Sequence, residues 1–343
     1  MKKIKIFGVV CLGLILVAGG FLGAGYLQYQ RDFKGYAGET QEFEIKKGMN
    51  LTSITRLLKE KRLISSKPLF YWAARFSGQA AHFKRGVYQV EGAVSPARLV
   101  EILSQGKEMV VRVTIPEGYR MTEIFEVLRK SGLKNSGTYE ALTRDLQFID
   151  GLGLPGNPKL LEGFLFPETY LFSAGVSEKE VLTRMVQAFL AKLPPNYSAQ
   201  AAKVGLSNYQ ALTLASIIEK ETGKASERRI ISSVFHNRLK QGMRLQTDPT
   251  VIYGIEGYKG NLTKKHLTAP TPYNTYTIKG LPPSPIASPG IGAIEAAVNP
   301  APTPYLYFVG KGDGSHQFTQ TYKEHEQAVS QYQRRRRKDY RSY

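Results

Sequence analysis

Cysteine is all but missing from this chain: its 343 residues hold one, Cys11. One cysteine cannot form an internal disulfide, so whatever folds here does so without covalent staples. A small residue would precede a lipid-modified cysteine, and Val10 stands there instead. Histidine is sparse as well. The five, at 82, 236, 266, 316 and 325, show no metal-ligand spacing and no HExxH run, and phosphate-loop and dinucleotide motifs are also lacking. No metal and no other cofactor is therefore expected. Acidic residues are outnumbered, 28 against 47 basic ones, for a formal charge of +19. That balance points to an anionic partner.

Long uncharged runs are absent too, except at the N-terminus. Lys2, Lys3 and Lys5 are followed by no charge until Arg31, and residues 6–28 are mostly Ile, Val, Leu, Gly and Phe. About 20 apolar residues in a helix cross a bilayer, so a single transmembrane helix is expected at 6–28. The lysines put residues 1–5 in the cytoplasm and everything beyond the span outside it. Cys11 then faces lipid. The rival is a cleaved signal peptide, for which "AGGFLGAG" at 18–25 supplies small residues. An exported chain at the cytoplasmic membrane does not meet nucleic acid, which leaves anionic envelope material or lipid head groups. The run "RRRRK" at 334–338 opens a basic tail, 334–343, that reads first as solvated chain and second as a binding segment.

The first half repeats itself at an offset of 70 residues. "IKKGMNLTSITRLLKEKRLI" starts at Ile45 and "IPEGYRMTEIFEVLRKSGLK" at Ile115. Each copy reads as a strand end, a glycine turn at Gly48 or Gly118, an N-cap at Thr52 or Thr122, and an amphipathic helix. The buried faces would be 54, 57, 58 and 124, 127, 128. Between the copies, Pro96 to Ser104 reads as a helix that Gly106 closes. The pattern resembles the LysM module, a small glycan-binding unit, although Met49-Asn50 and Tyr119-Arg120 stand where such modules commonly carry Asp-Thr. Glycan binding and a structural spacer both remain open. A LysM-like α+β domain is expected at 41–135, after a linker at 29–40.

In the second half, 136–333, the stretch from Gly151 to Phe172 marks a change to chain rich in Gly, Pro and aromatics. Helices are expected from Glu178 to Leu193, from a Ser207/Gln210 capping box to a left-handed cap at Gly223, and from Ser226 to Gln241; "TPYLYFVG" at 303–310 would close the domain as a buried strand. The middle helix carries "LTLASIIEKETG", in which Glu219 borders the apolar face of 211, 212, 215 and 218. Glu221 lies roughly 200° further round and is expected to see solvent. A carboxyl at an apolar boundary has a raised pKa and can hold a proton for a leaving group. The plainer alternative for Glu219 is an ion pair with Arg228 or Arg229. Downstream loops crowded with Pro, Tyr, Asn and Thr suit a sugar groove, with Gln246, Thr247, Asp248, Asn274 and Tyr276 as candidate contacts. Asp248 before Pro249 also suits a turn, and Glu168 reads as structural or as a second acid.

These segments closely resemble the endolytic murein transglycosylase family, also called YceG-like. The likeness rests on "EGFLFPETY" at 162–170, "ASIIEKET" at 215–222, "FHNRLKQGMRLQTDPTVIYG" at 235–254, "YNTYTIKGLPPSPIASPG" at 273–290 and "TPYLYFV" at 303–309. The resemblance implies an α+β protein with a single-pass anchor in the bacterial inner membrane, a LysM-like domain and a catalytic domain that cuts peptidoglycan strands internally. It implies Glu219, the first acid of the "EKET" motif, as the catalytic residue. Non-hydrolytic cleavage between N-acetylmuramic acid and N-acetylglucosamine would leave 1,6-anhydro ends, beside peptidoglycan synthases such as penicillin-binding proteins. A hydrolytic muramidase and a non-catalytic glycan-binding scaffold are the competing readings.

Overall fold

A computed structural model describes residues 13–334 apart from 14, 15, 18, 22, 32–39, 92, 107, 108, 134–137, 174, 175 and 259. Residues 1–5, most of the expected span at 6–28 with Cys11, most of the linker, and the tail beyond 334 lie outside the described residues. Among the described residues no helix is long and apolar enough to cross a membrane. The architecture is mixed α+β. The chain divides into two compact units, Met1–Arg112 with Leu171–Gly175, and Val113–Tyr170 with Val176–Tyr343.

The first unit holds a helical stretch at 23–30, then β1 (Thr40–Ile45), α1 (Leu51–Glu60), α2 (Lys67–Phe76), β2 (Gly86–Glu91), α3 (Pro96–Gln105) and the start of β3 (Met109–Thr114). β1 and β2 pair antiparallel with Phe43 opposite Tyr88, and those two rings stack at 5.4 Å. β3 runs antiparallel to β2. Ile54, Leu58, Phe70, Leu99 and Ile102 close the core against this pair.

The repeat folds as two glycine turns, each followed by a helix. Gly48 and Gly118 sit at φ 88° and 76°, a region only glycine enters freely. The caps differ from expectation. Helix α1 begins at Leu51 with Asn50 as N-cap, whose Oδ1 accepts from the Ser53 N–H at 2.9 Å; Thr52 is already helical. In the second copy α4 (Met121–Lys130) begins one residue before Thr122, and the Glu123 carboxylate accepts from the Arg120 N–H at 2.8 Å. The polar residue that meets free N–H groups thus decides each start. This second copy belongs to the other unit.

That second unit continues with β4 (Thr169–Ser173), which ends in the first unit, then α5 (Glu178–Lys192), α6 (Tyr197–Lys203), α7 (Asn208–Glu221), α8 (Arg228–Lys240), α9 (Asp248–Tyr253), α10 (Ile291–Val298), a β5–β6 hairpin (Tyr307–Gly310, His316–Thr319) and α11 (Tyr322–Val329). Strand order in the four-stranded sheet is β1-β2-β3-β4. The Ser207/Gln210 capping box forms as expected. The other end does not: Thr222 leaves the helix extended, and Gly223 is not left-handed.

Helix α7 is the centre of the unit. Residues 211–218 are buried without a break, so apolar contact surrounds the helix instead of lying along one stripe. The alanine-rich α10 packs along it, and α6, α8 and α9 also touch it. Each fully buried Leu or Ile there contributes about 1.5–3 kcal/mol.

Candidate active site

The two acids at the end of α7 go to different places. Glu219 is closed in, its side chain 7% exposed. Its Oε2 accepts from the Gly290 N–H at 3.0 Å, and Arg228 lies 3.6 Å from its Oε1. The same guanidinium is 3.6 Å from Glu117. Burial raises the Glu219 pKa, the Gly290 bond opposes this, the Glu117 charge adds to it, and Arg228 and Lys220 lower it. The ion pair is with Arg228; Arg229 instead binds the Asn299 carbonyl at 2.8 Å.

Glu221 is half-buried. It lines a cavity of about 550 Å³ together with Arg238, Gln246, Thr247, Asp248 and Tyr276. Lys220, between the two acids, is exposed, so the enclosure that is complete over 211–218 is only partial at this end of the helix. Burial pushes the Glu221 carboxyl up to about 7; a bond from Thr247 lowers it, the Asp248 charge raises it and Arg238 lowers it. The residue is only half-buried by exposure because one side opens on the cavity. Thr247 Oγ1 donates to Glu221 Oε1. Among the described residues no hydrogen bond engages the other oxygen.

The cavity wall is built by the turn before α9. Gln246 holds φ at 51°, a conformation non-glycine residues seldom adopt, and its N–H donates to the Thr275 carbonyl. The Thr247 N–H donates to Thr275 Oγ1 at 3.0 Å, and Thr250 Oγ1 donates to the Thr247 carbonyl. These bonds, all buried, fix the hydroxyl that meets Glu221. Tyr276 donates its O–H to Asp248 Oδ1 at 2.7 Å.

Four of the five candidate sugar contacts therefore share one cavity, and they share it with Glu221. Glu219 does not line it. Asn274, the fifth candidate, is fully buried. Its Nδ2 amide faces the carbonyls of His266, Leu267 and Ala269, and its Oδ1 accepts from the Tyr276 N–H. It shapes the loop that presents Tyr276 and has nothing left for a sugar. Asp248 is the first residue of α9, with Thr247 before it as N-cap, and it also lines the cavity. Glu168 pairs with Lys192 at 3.4 Å, outside the cavity.

Sequence reasoning missed Arg238. It donates from Nε to the Leu306 carbonyl and from Nη1 to the Leu245 carbonyl, both at 2.7 Å, and lies over the Tyr307 ring. A signal was present: Ile231, Val234, Phe235 and Arg238 are all buried on α8, so the arginine occupies an apolar-stripe position. His316, also on the cavity wall, bonds Glu227 through Nδ1 at 2.7 Å and ties β6 to the start of α8.

Comparisons with known proteins place the whole chain. The model of the YceG-like family matches residues 43–331. An endolytic murein transglycosylase of Bacillus subtilis (strain 168) is 33% identical over 334 residues, covering 93% of this chain and 91% of that protein. One of Streptococcus pneumoniae serotype 2 is 29% identical over 367 residues, spanning 97% of this chain and 65% of its own length. A YceG-like protein of Listeria monocytogenes, solved at 2.6 Å, superposes with a TM-score of 0.60 at 32% identity over 84% of this chain and 98% of that one.

Proposed function

This chain belongs to the YceG-like family, and from that premise we propose that it is a lytic transglycosylase that cuts peptidoglycan strands internally. Glu221 is the acid. It protonates the oxygen that joins N-acetylmuramic acid to N-acetylglucosamine, and the bond from that oxygen to the muramyl C1 breaks. The muramyl C6 hydroxyl attacks C1 and gives its proton to the Glu221 carboxylate, which leaves a 1,6-anhydro end and a recharged acid. No water is consumed and no second carboxylate is required, unlike most glycosidases.

One observation carries this reading: a carboxyl pushed up to about 7, at the wall of a cavity large enough for sugar rings, with one oxygen held by Thr247 and the other without a hydrogen bond among the described residues. A group that titrates near the working pH is suited both to give and to take a proton. Tyr276 supplies a face on which a ring can stack, and Gln246 and Asp248 supply polar groups for its hydroxyls.

A second reading makes Glu219 the acid, as the family resemblance implied. The raised pKa of its enclosed carboxyl favours it; the Gly290 bond and the Arg228 pair oppose it by holding both oxygens. Paired substitutions separate the two. Glu221→Gln keeps the shape without a transferable proton and should lower cleavage of purified peptidoglycan by about 10²–10⁴-fold, the usual contribution of a positioned acid. Glu219→Gln should retain most activity. The opposite pattern transfers the role to Glu219. Mass spectrometry of the products decides the chemistry: reducing ends instead of anhydro ends would make the enzyme a hydrolase.

The apolar run at 6–28 anchors the chain in the inner membrane with residues 1–5 cytoplasmic, and the catalytic domain works outside. The LysM-like segment at 41–135 sets its distance from the bilayer. Tethered there, the enzyme reaches strands as synthases extend them, and cleavage ends their growth.

A further inference from the structure

The first unit turns an apolar surface outward. Of the nine exposed large hydrophobic side chains among the described residues, seven lie on the segment from Leu16 to Leu27 or on α2. Helix α2 is inverted relative to an ordinary surface helix. Phe70 and Ala74 point into the core, while Pro68, Trp72 and Phe76, at spacings of four, form the outward stripe. Trp72 and Phe76 are 51% and 81% exposed, with their rings stacked at 5.4 Å. Lys67 and Arg75 are exposed beside them, and α2 contains no acidic residue. Phe21, Tyr26 and Tyr29 meet this stripe across an apolar groove of about 620 Å³.

We propose that the outward face of α2 rests on the surface of the bilayer that the N-terminal run enters, so that the first unit is docked on the membrane as well as tethered to it. The proposal rests on the anchor reading of residues 6–28. Two features select a bilayer as the occupant. One wall of the groove, Phe21, Gly25 and Tyr26, belongs to the last turns of the expected span and Tyr29 follows it, so lipid is what the chain meets there first. Its composition is that of an interface: tryptophan and tyrosine settle at head-group level, and lysine and arginine beside them attract anionic lipid. Docking would cover the stacked pair and would hold the unit's orientation against the membrane, which a flexible tether alone does not do.

Trp72 is the chain's only tryptophan, so its fluorescence reports this face without labelling. The full-length chain is reconstituted into phosphatidylcholine–phosphatidylglycerol vesicles, with and without brominated acyl chains. Retention on floated vesicles after an alkaline wash tests the anchor; loss there ends the anchor reading and the docking proposal with it. On retained protein, bromolipid should remove about half of the emission, since an interfacial helix seats its apolar face roughly 5–10 Å into the head-group boundary. Phe76→Asp, at a position exposed enough to leave the fold intact, should restore it. Retained protein whose Trp72 ignores bromolipid and is freely quenched by acrylamide overturns docking and leaves the anchor standing. Shielding from both quenchers that disappears as the protein is diluted among more vesicles assigns the face to a second copy, which also overturns it.

Discussion

At the residue scale, the Glu221–Thr247 contact makes pH the informative variable. An acid that titrates at about 7 is protonated below that value, so cleavage should be sustained on the acidic side and decline as pH rises through about 7. The Thr247 bond favours the charged form. Thr247→Val removes the donor, raises the carboxyl further, and should move the alkaline limb of the rate profile to higher pH with a smaller effect at the acidic end. Glu162 adds a stability counterpart. It is buried, accepts from the Met121 N–H and the Tyr253 O–H, and its carboxyl is pushed up to about 7, chiefly by burial. Folded protein therefore holds that proton more tightly than unfolded protein from 4.5 to about 7, and stability should fall as pH rises across this window. Glu162→Gln should flatten the fall, as read from urea midpoints at a series of pH values. The sequence pointed to the C-terminal end of α7, where the two acids have different surroundings: Glu219 lies against Gly290 and Arg228, and Glu221 shares a cavity with four of the five candidate contacts. The reasoning assumed one wet side. Alternation of apolar and polar residues reports a wet side only when a helix has one, and "ALTLASII" already lacked polar residues on every side apart from two small hydroxyls.

Elements were more legible than contacts. Helix ranges predicted from capping residues and proline agree with α3, α5 and the start of α7 to within a residue, because local side-chain bonds set those ends. The contacts of Asn274 were illegible for the opposite reason: they depend on three carbonyls presented by a neighbouring turn, which no local pattern reveals. The segment at 162–170 behaves similarly. Gly163 sits at φ 87°, and a Cβ there would lie 2.6 Å from the Pro285 Cβ. Gly163→Ala combines a left-handed backbone with an overpacked contact, each worth about 1–3 kcal/mol. A loss of about 2–4 kcal/mol in urea unfolding is the expected result. Unchanged stability would mean that the 285–287 loop yields freely.

At the scale of the whole molecule, hydrogen bonds join the repeat's second copy to the far end of the chain. The Gly118 N–H donates to the Ser288 carbonyl, the Ser288 N–H to the Tyr119 carbonyl, and Gly290 to Glu219. Contacts this distant in sequence must wait for loop closure, and they slow folding accordingly. During synthesis the consequence is one of timing. A ribosome adds roughly 5–20 residues each second, and no stretch that ends before residue 288 contains the backbone partner that residues 118 and 119 share. A chain stopped at residue 280 should accordingly show the protease sensitivity of an unfolded polypeptide throughout 113–280, whereas one extended through the β5–β6 hairpin should resist. If the catalytic domain works outside the membrane, as proposed above, such lateness is useful. A translocating polypeptide would stay slack until residue 288 had emerged, and the enzyme would become competent only on the side where its substrate is.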